Sequence, residues 1–120
     1  MIEIIQGLPD KVVAVRLSGV VKGEDYDNIL APAIEEKLKD YEKIRLLYQL
    51  GPDFEKFSRE AMWEDAKLDM QNFTSFEKIA VVSNVEWMIT AMELFKHVIP
   101  GQVKTYSNEE LTEAKDWISK

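Results

Sequence analysis

Short β-branched runs alternate with segments whose apolar residues return every three or four positions. This change of period constrains the fold more than any other feature of the chain. "KIRLLYQL" (43–50) and "KIAVV" (78–82) are apolar and bounded by turn residues, as expected of interior strands covered on both faces. "QVKTY" (102–106) reads as a further short strand. Between them, Met62, Ala66, Met70 and Phe73 mark one stripe of a helix predicted from about Ser58 to Asn72. Another helix is predicted from the "SNVEW" segment to about Val98, stopped by Pro100-Gly101. Helices interleaved with strands force parallel pairing through right-handed crossovers.

The first quarter of the chain adds a different unit. Ile2 and Ile4 alternate with Glu3, and Val13, Val15 and Leu17 alternate with Ala14 and Arg16, with "GLPD" between the two runs. That pattern predicts an antiparallel hairpin whose second strand ends at Ser18-Gly19. From Glu24 to Tyr41 the period becomes helical, with Tyr26, Leu30, Ile34, Leu38 and Tyr41 along one face. Pro32 falls inside this run and deletes a backbone hydrogen bond, which predicts a kink near Asn28. Glu35 and Lys39 are ordered for a weak helical ion pair. "KIRLLYQL" is expected to stop at Gly51-Pro52. Ser83 with Glu86, and Ser107 with Glu110, each have capping-box spacing at a helix start. The order is ββαβαβαβα: an α/β fold with a mixed sheet and flanking helices, filling residues 1–120 as a single domain.

Charge and composition exclude several function classes. The formal net charge is −7, which disfavours nucleic acid and anionic lipid surfaces as partners. No apolar run approaches the roughly 18 residues a membrane helix needs, and "MIEIIQGLPDK" has no signal-peptide pattern. The chain has no cysteine, so disulfides, thiolate metal sites and cysteine nucleophiles are absent and a cytoplasmic setting is expected.

Residues for chemistry are sparse. There is one histidine, no metal-ligand spacing, no phosphate-cradling glycine motif and no nucleophile elbow, so neither a metal nor a cofactor is expected. His97 falls at the end of a helix, where a partial positive charge complements the carbonyl end, and it reads as structural. Ser58 at the start of the second helix reads as an N-cap; a phosphate there would be favoured by free amides but repelled by Glu55, Glu60 and Glu64. The third helix carries two apolar stripes, Met88/Met92/Phe95/Ile99 and Trp87/Ala91/Leu94/Val98. Burial within the fold, a partner subunit and an apolar pocket all explain a second stripe.

"VVAVRLSGVVKGEDYDNIL", "KIRLLYQL", "AMWEDAKLD", "FEKIAVVSNVEWM" and "IPGQVKTY", in this order and spacing, resemble the SpoIIAA-like family of small bacterial and archaeal proteins. That family is related in fold to the STAS domains of sulphate transporters and anti-sigma-factor antagonists. The resemblance implies a mixed sheet flanked by helices, often dimeric, with no established reaction. STAS antagonists carry an Asp-x-Ser motif at the end of the third strand, whose serine is phosphorylated. Here that place reads Gln49-Leu50-Gly51-Pro52-Asp53, without a hydroxyl, and Ser58 follows only after Phe54-Glu55-Lys56-Phe57. The switch therefore does not carry over to this chain.

Two expectations follow. The first is a non-enzymatic protein-interaction module, cytoplasmic and homodimeric, meeting a protein partner through Phe54, Phe57, Ser58, Met62 and Trp63. The alternative is a carrier of a small apolar ligand in a cavity between sheet and helices, lined by Met62, Met70, Met88, Met92 and Phe95.

Overall fold

Alternation along the strands sorts side chains onto two faces of a sheet, and each face is covered differently. The computed structural model describes residues 1–62, 73–98 and 100–120, with the side chains of Phe73 and Phe95 outside that description. Its strands are β1 (Ile2–Ile4), β2 (Val12–Val21), β3 (Ile44–Phe57), β4 (Phe76–Val82) and β5 (Gln102–Tyr106). They form one sheet in the order β1-β2-β3-β4-β5, with β1 antiparallel to β2 and every later pair parallel. The opening hairpin and the mixed sheet are as the sequence predicts.

Because each parallel strand lies beside the next in sequence, crossovers of one hand put their helices on one face. Val13, Val15, Leu17, Tyr48, Leu50, Ile79 and Val81 form that face, and Tyr26, Leu30, Ile34, Ala61 and Met88 pack on it. The last helix is not a crossover and folds onto the other face. There Ala114 and Ile118 bury Val12, Ala14, Leu47, Ala80 and Val82. Fully burying one such aliphatic side chain contributes about 1.5–3 kcal/mol, so the two faces together account for the tightness of the fold.

Helical structure runs from Gly23 to Asp40 in three parts: α1 (Gly23–Asp25), a π turn (Tyr26–Leu30) and α2 (Ala31–Asp40). The expected kink takes this form because Pro32 has no amide to offer the carbonyl of Asn28. The ladder slips instead, and the amide of Ala31 bonds the carbonyl of Tyr26, five residues back. Tyr26 is fully buried and its hydroxyl meets that of Tyr48. Lys39 pairs with Glu36 at 3.4 Å, not with Glu35.

Two strands run further than the sequence suggests. β2 continues through Gly19 to Val21, and β3 continues through Gly51-Pro52 to Phe57. The register explains both. Leu17 faces Leu50 but Gly19 faces Phe54 and Val20 faces Lys56, so β3 carries extra residues opposite β2. Gly19 takes the bend at φ +59°. β4 pairs with β3 only as far as Gln49, so Pro52 lies on an unpaired edge where its missing amide costs no ladder bond.

The remaining helices are α3 (Glu86–Phe95) and α4 (Leu111–Ser119), with a helical turn at 59–62 and 3₁₀ turns at Phe73–Ser75 and Asn108–Glu110. The Ser83/Glu86 capping box does not form. Val85 is the N-cap of α3, and the Ser83 hydroxyl oxygen accepts the Val85 amide at 2.9 Å, closing a tight turn before the helix. The Ser107/Glu110 box does form, with the Ser107 amide donating to Glu110 Oε1 at 2.9 Å, and it opens the 3₁₀ turn ahead of α4. Arg45 and Lys78 reach from the sheet to the far end of α4. Arg45 donates to the Ile118 carbonyl at 2.9 Å and Lys78 to that of Trp117 at 3.3 Å, where cations complement the helix dipole.

Candidate interaction surface

The C-terminal ends of β2 to β5 meet the starts of the helices that follow them, and β3 outruns its neighbour β4 there. Along this overhang Phe54 and Phe57 pair with Gly19 and Val21 of β2 but have no β4 partner on the other side. Both are half-buried, with ring centroids 5.0 Å apart. Trp87, in the first turn of α3, meets Phe57 edge-on at 6.4 Å and 70°. Edge-to-face contact suits ring quadrupoles.

Ser58 ends β3. Its amide donates to the Val21 carbonyl at 2.8 Å, and its hydroxyl oxygen accepts the Ala61 amide at 3.0 Å. The hydroxyl is therefore the N-cap of the turn at 59–62. Glu55 and Glu60 are exposed on either side of it, while Glu64 lies outside the described residues.

Of the residues named for an interaction surface, Phe54, Phe57, Ser58 and Met62 lie within one stretch of backbone, with Met62 61% exposed. Trp63 lies outside the described residues. Of those named for a ligand cavity, Met88 is buried in the core beneath α3, Met92 is half-buried against the same core, and Met62 points to solvent. Met70 and the Phe95 side chain lie outside the described residues. An open cleft of about 220 Å³ lies elsewhere, between the β1–β2 loop and α2, lined by Ile4, Leu8, Pro9, Val12, Ala33 and Lys37 among others.

The two stripes of α3 separate cleanly. Met88 is 8% exposed, whereas Trp87, Leu94 and Val98 are 56%, 70% and 70% exposed. Burial within the fold therefore accounts for Met88 and in part for Met92 but not for Trp87, Leu94 and Val98, while the Phe95 side chain and Ile99 lie outside the described residues. α3 ends at Phe95, so His97 falls in the turn beyond it, exposed; among the described residues no carboxylate hydrogen-bonds it. The nearby Glu93 carboxyl takes hydrogen bonds from Lys96 and Thr105, which hold it below its usual range. Among the described residues no group of three or more histidine or acidic side chains is placed to hold a metal ion. No helix among them is long and apolar enough to cross a membrane.

The sequence pattern did not show that Trp87 joins Phe54 and Phe57. The signal was present, since a tryptophan one position off the core stripe near a helix start has nowhere to go but the rim.

A mixed five-stranded sheet with crossover helices on one face, and an exposed aromatic junction at its C-terminal edge, defines a small α/β domain of the STAS-like class. The chain belongs to the SpoIIAA-like family, whose model matches residues 12–119. It is similar to an uncharacterised protein of the DUF3478 family from Shewanella loihica PV-4, whose crystal structure has a SpoIIAA-like fold. The TM-score is 0.77 at 25% identity, covering 98% of this chain and 92% of that one. No curated protein matches the chain.

Proposed function

We propose that the chain is a non-enzymatic, cytoplasmic protein-interaction module that receives a partner along the outer face of α3 and the adjoining junction of Phe54, Phe57 and Met62. The observation that carries this reading is the row Trp87, Leu94 and Val98, each of which is more than half exposed. Single exposed apolar side chains are ordinary on any protein, but several aligned large ones with an aromatic anchor are characteristic of interface centres. The absence of cysteine favours the reducing cytoplasm.

A photo-crosslinking residue placed at 62, 94 or 98 in the native host tests it. A defined protein adduct from these positions, absent when the probe sits at exposed Glu36 or Glu109, supports the reading. Adducts no different from those two controls count against it.

A further inference from the structure

We infer that the partner segment received by this surface is cationic: an amphipathic helix with basic residues beside its apolar stripe. The inference rests on the interaction reading and names the chemistry of its occupant. Parallel strands bring the segments after β2, β3, β4 and β5 to one end of the sheet. Among the described residues, those segments (22–27, 51–62, 83–87 and 107–110) hold nine carboxylates: three in the first, three in the second, then Glu86, Glu109 and Glu110. Against them stand Lys22, Lys56, Arg59 and the Met1 ammonium, 3.5 Å from Asp25, with Arg16 reaching over from β2 to meet Asp53 at 3.2 Å.

The excess has a local cause, because acidic residues are favoured in the first turn of a helix and all the helices after these strands start here. Each helix start offsets only about half an elementary charge, so four of them neutralise about two. The end that presents Trp87 and Met62 therefore keeps a net negative charge of about two after these offsets, an outward negative field. A second copy would bring the same field against itself, whereas a basic segment would be steered towards it. α3 has ten residues and so runs about 15 Å, which matches about three turns of a partner helix.

The test titrates the full chain with a labelled amphipathic Leu/Lys peptide of about four turns, alongside Leu/Ser and Leu/Glu peptides of the same leucine spacing. At about 0.05 M salt the Leu/Lys peptide should bind at least about tenfold tighter than Leu/Ser, and at about 0.5 M the gap should shrink to about threefold or less. The double substitution Leu94→Glu with Val98→Glu should weaken Leu/Lys binding at least about tenfold, although it adds two negative charges. Circular dichroism confirms that this variant folds. Equal or tighter binding by the variant means that charge alone attracts the peptide, and the inference is overturned. Equal binding of Leu/Ser and Leu/Lys leaves the docking surface standing and overturns the cationic occupant. A dimer in sedimentation that the double variant dissociates makes a second copy the occupant, which also overturns it. If no peptide binds a monomeric chain the inference falls, and the crosslinks at 94 and 98 decide separately whether the surface is used at all.

Discussion

Asn108 joins three pieces of the fold, and replacing it with alanine should cost far more stability than is usual for a half-exposed residue. Its Oδ1 accepts Gln49 Nε2 at 2.8 Å, its Nδ2 donates to the Leu50 carbonyl at 2.9 Å, and its amide donates to Asn84 Oδ1 at 3.0 Å. Only the last bond survives in Asn108→Ala. Gln49 is 3% exposed and Leu50 is buried, so the substitution strands a donor and an acceptor that solvent reaches poorly. A buried group left without its partner costs about 1–3 kcal/mol; since both bonds are only part-buried, about 1–1.5 kcal/mol each is appropriate, or about 2–3 kcal/mol in all. Adding Gln49→Leu removes the stranded donor and should restore about half of that loss, because an apolar group in the same space asks for no partner. Urea unfolding followed by tryptophan fluorescence measures both, with midpoints compared at a constant slope. A loss below about 0.5 kcal/mol for Asn108→Ala, or no recovery in the double variant, would refute the reasoning.

A Cβ at Gly101 would lie 2.4 Å from the Phe76 carbonyl oxygen and 2.9 Å from that of Glu77, both backbone atoms of β4, so Gly101→Ala must push β5 off its neighbour. It should cost at least about 2 kcal/mol and lower the melting temperature, and an unchanged melt would contradict the packing. Hydrogen bonds from Lys11 and Arg45 hold the Glu77 carboxyl below the ordinary glutamate range. Its contribution is therefore complete above that range and is lost as pH falls through the lower folded value. Glu77→Gln should flatten the fall of the urea midpoint between pH 7 and pH 3, and an unaltered fall would exclude the effect. On α3, Met88→Ala should cost about 2–4 kcal/mol and Leu94→Ala less than about 0.5, read from urea midpoints; equal losses would mean the two stripes are not as differently buried as described.

The fold was largely legible because period and topology are coupled. β-Branched runs at 43–50 and 78–82, separated by helical spacing, leave few arrangements other than a parallel sheet, and the alternating run at 2–17 supplies the antiparallel edge. What escaped was the conduct of Gly and Pro. In "QLGPDF" they read as a stop, yet β3 passes through them because the sheet is bulged there and β4 has already ended. Whether Pro ends a strand depends on what lies beside it, and no local pattern holds that information. Likewise Ser83 and Glu86 have the spacing of a capping box, but Ser83 is fully buried and spends its hydroxyl on the turn, while its amide donates to the Tyr106 carbonyl.

The surface was legible only in part, and for a physical reason that bears on what it does. Sequence spacing placed two apolar stripes on α3, and a helix needs only one to hold it to a sheet. The fold is held mainly by Met88 and its neighbours, so the stripe of Trp87, Leu94 and Val98, apart from the Trp87–Phe57 contact, adds little to the stability of the isolated chain. Exposed apolar area of that kind carries a standing risk of aggregation. The Trp87 end of that row lies among an excess of carboxylates, which opposes the approach of a second copy there while leaving the apolar row open to a partner of opposite sign. Neutralising that end should therefore change the behaviour of the free protein. Glu24→Gln, Glu60→Gln and Glu86→Gln together should leave the fold intact, since all three are exposed, but should raise self-association at high concentration. Adding Leu94→Glu to them should abolish the increase. If the triple variant stays as monodisperse as the parent in light scattering, the carboxylates do not guard the row.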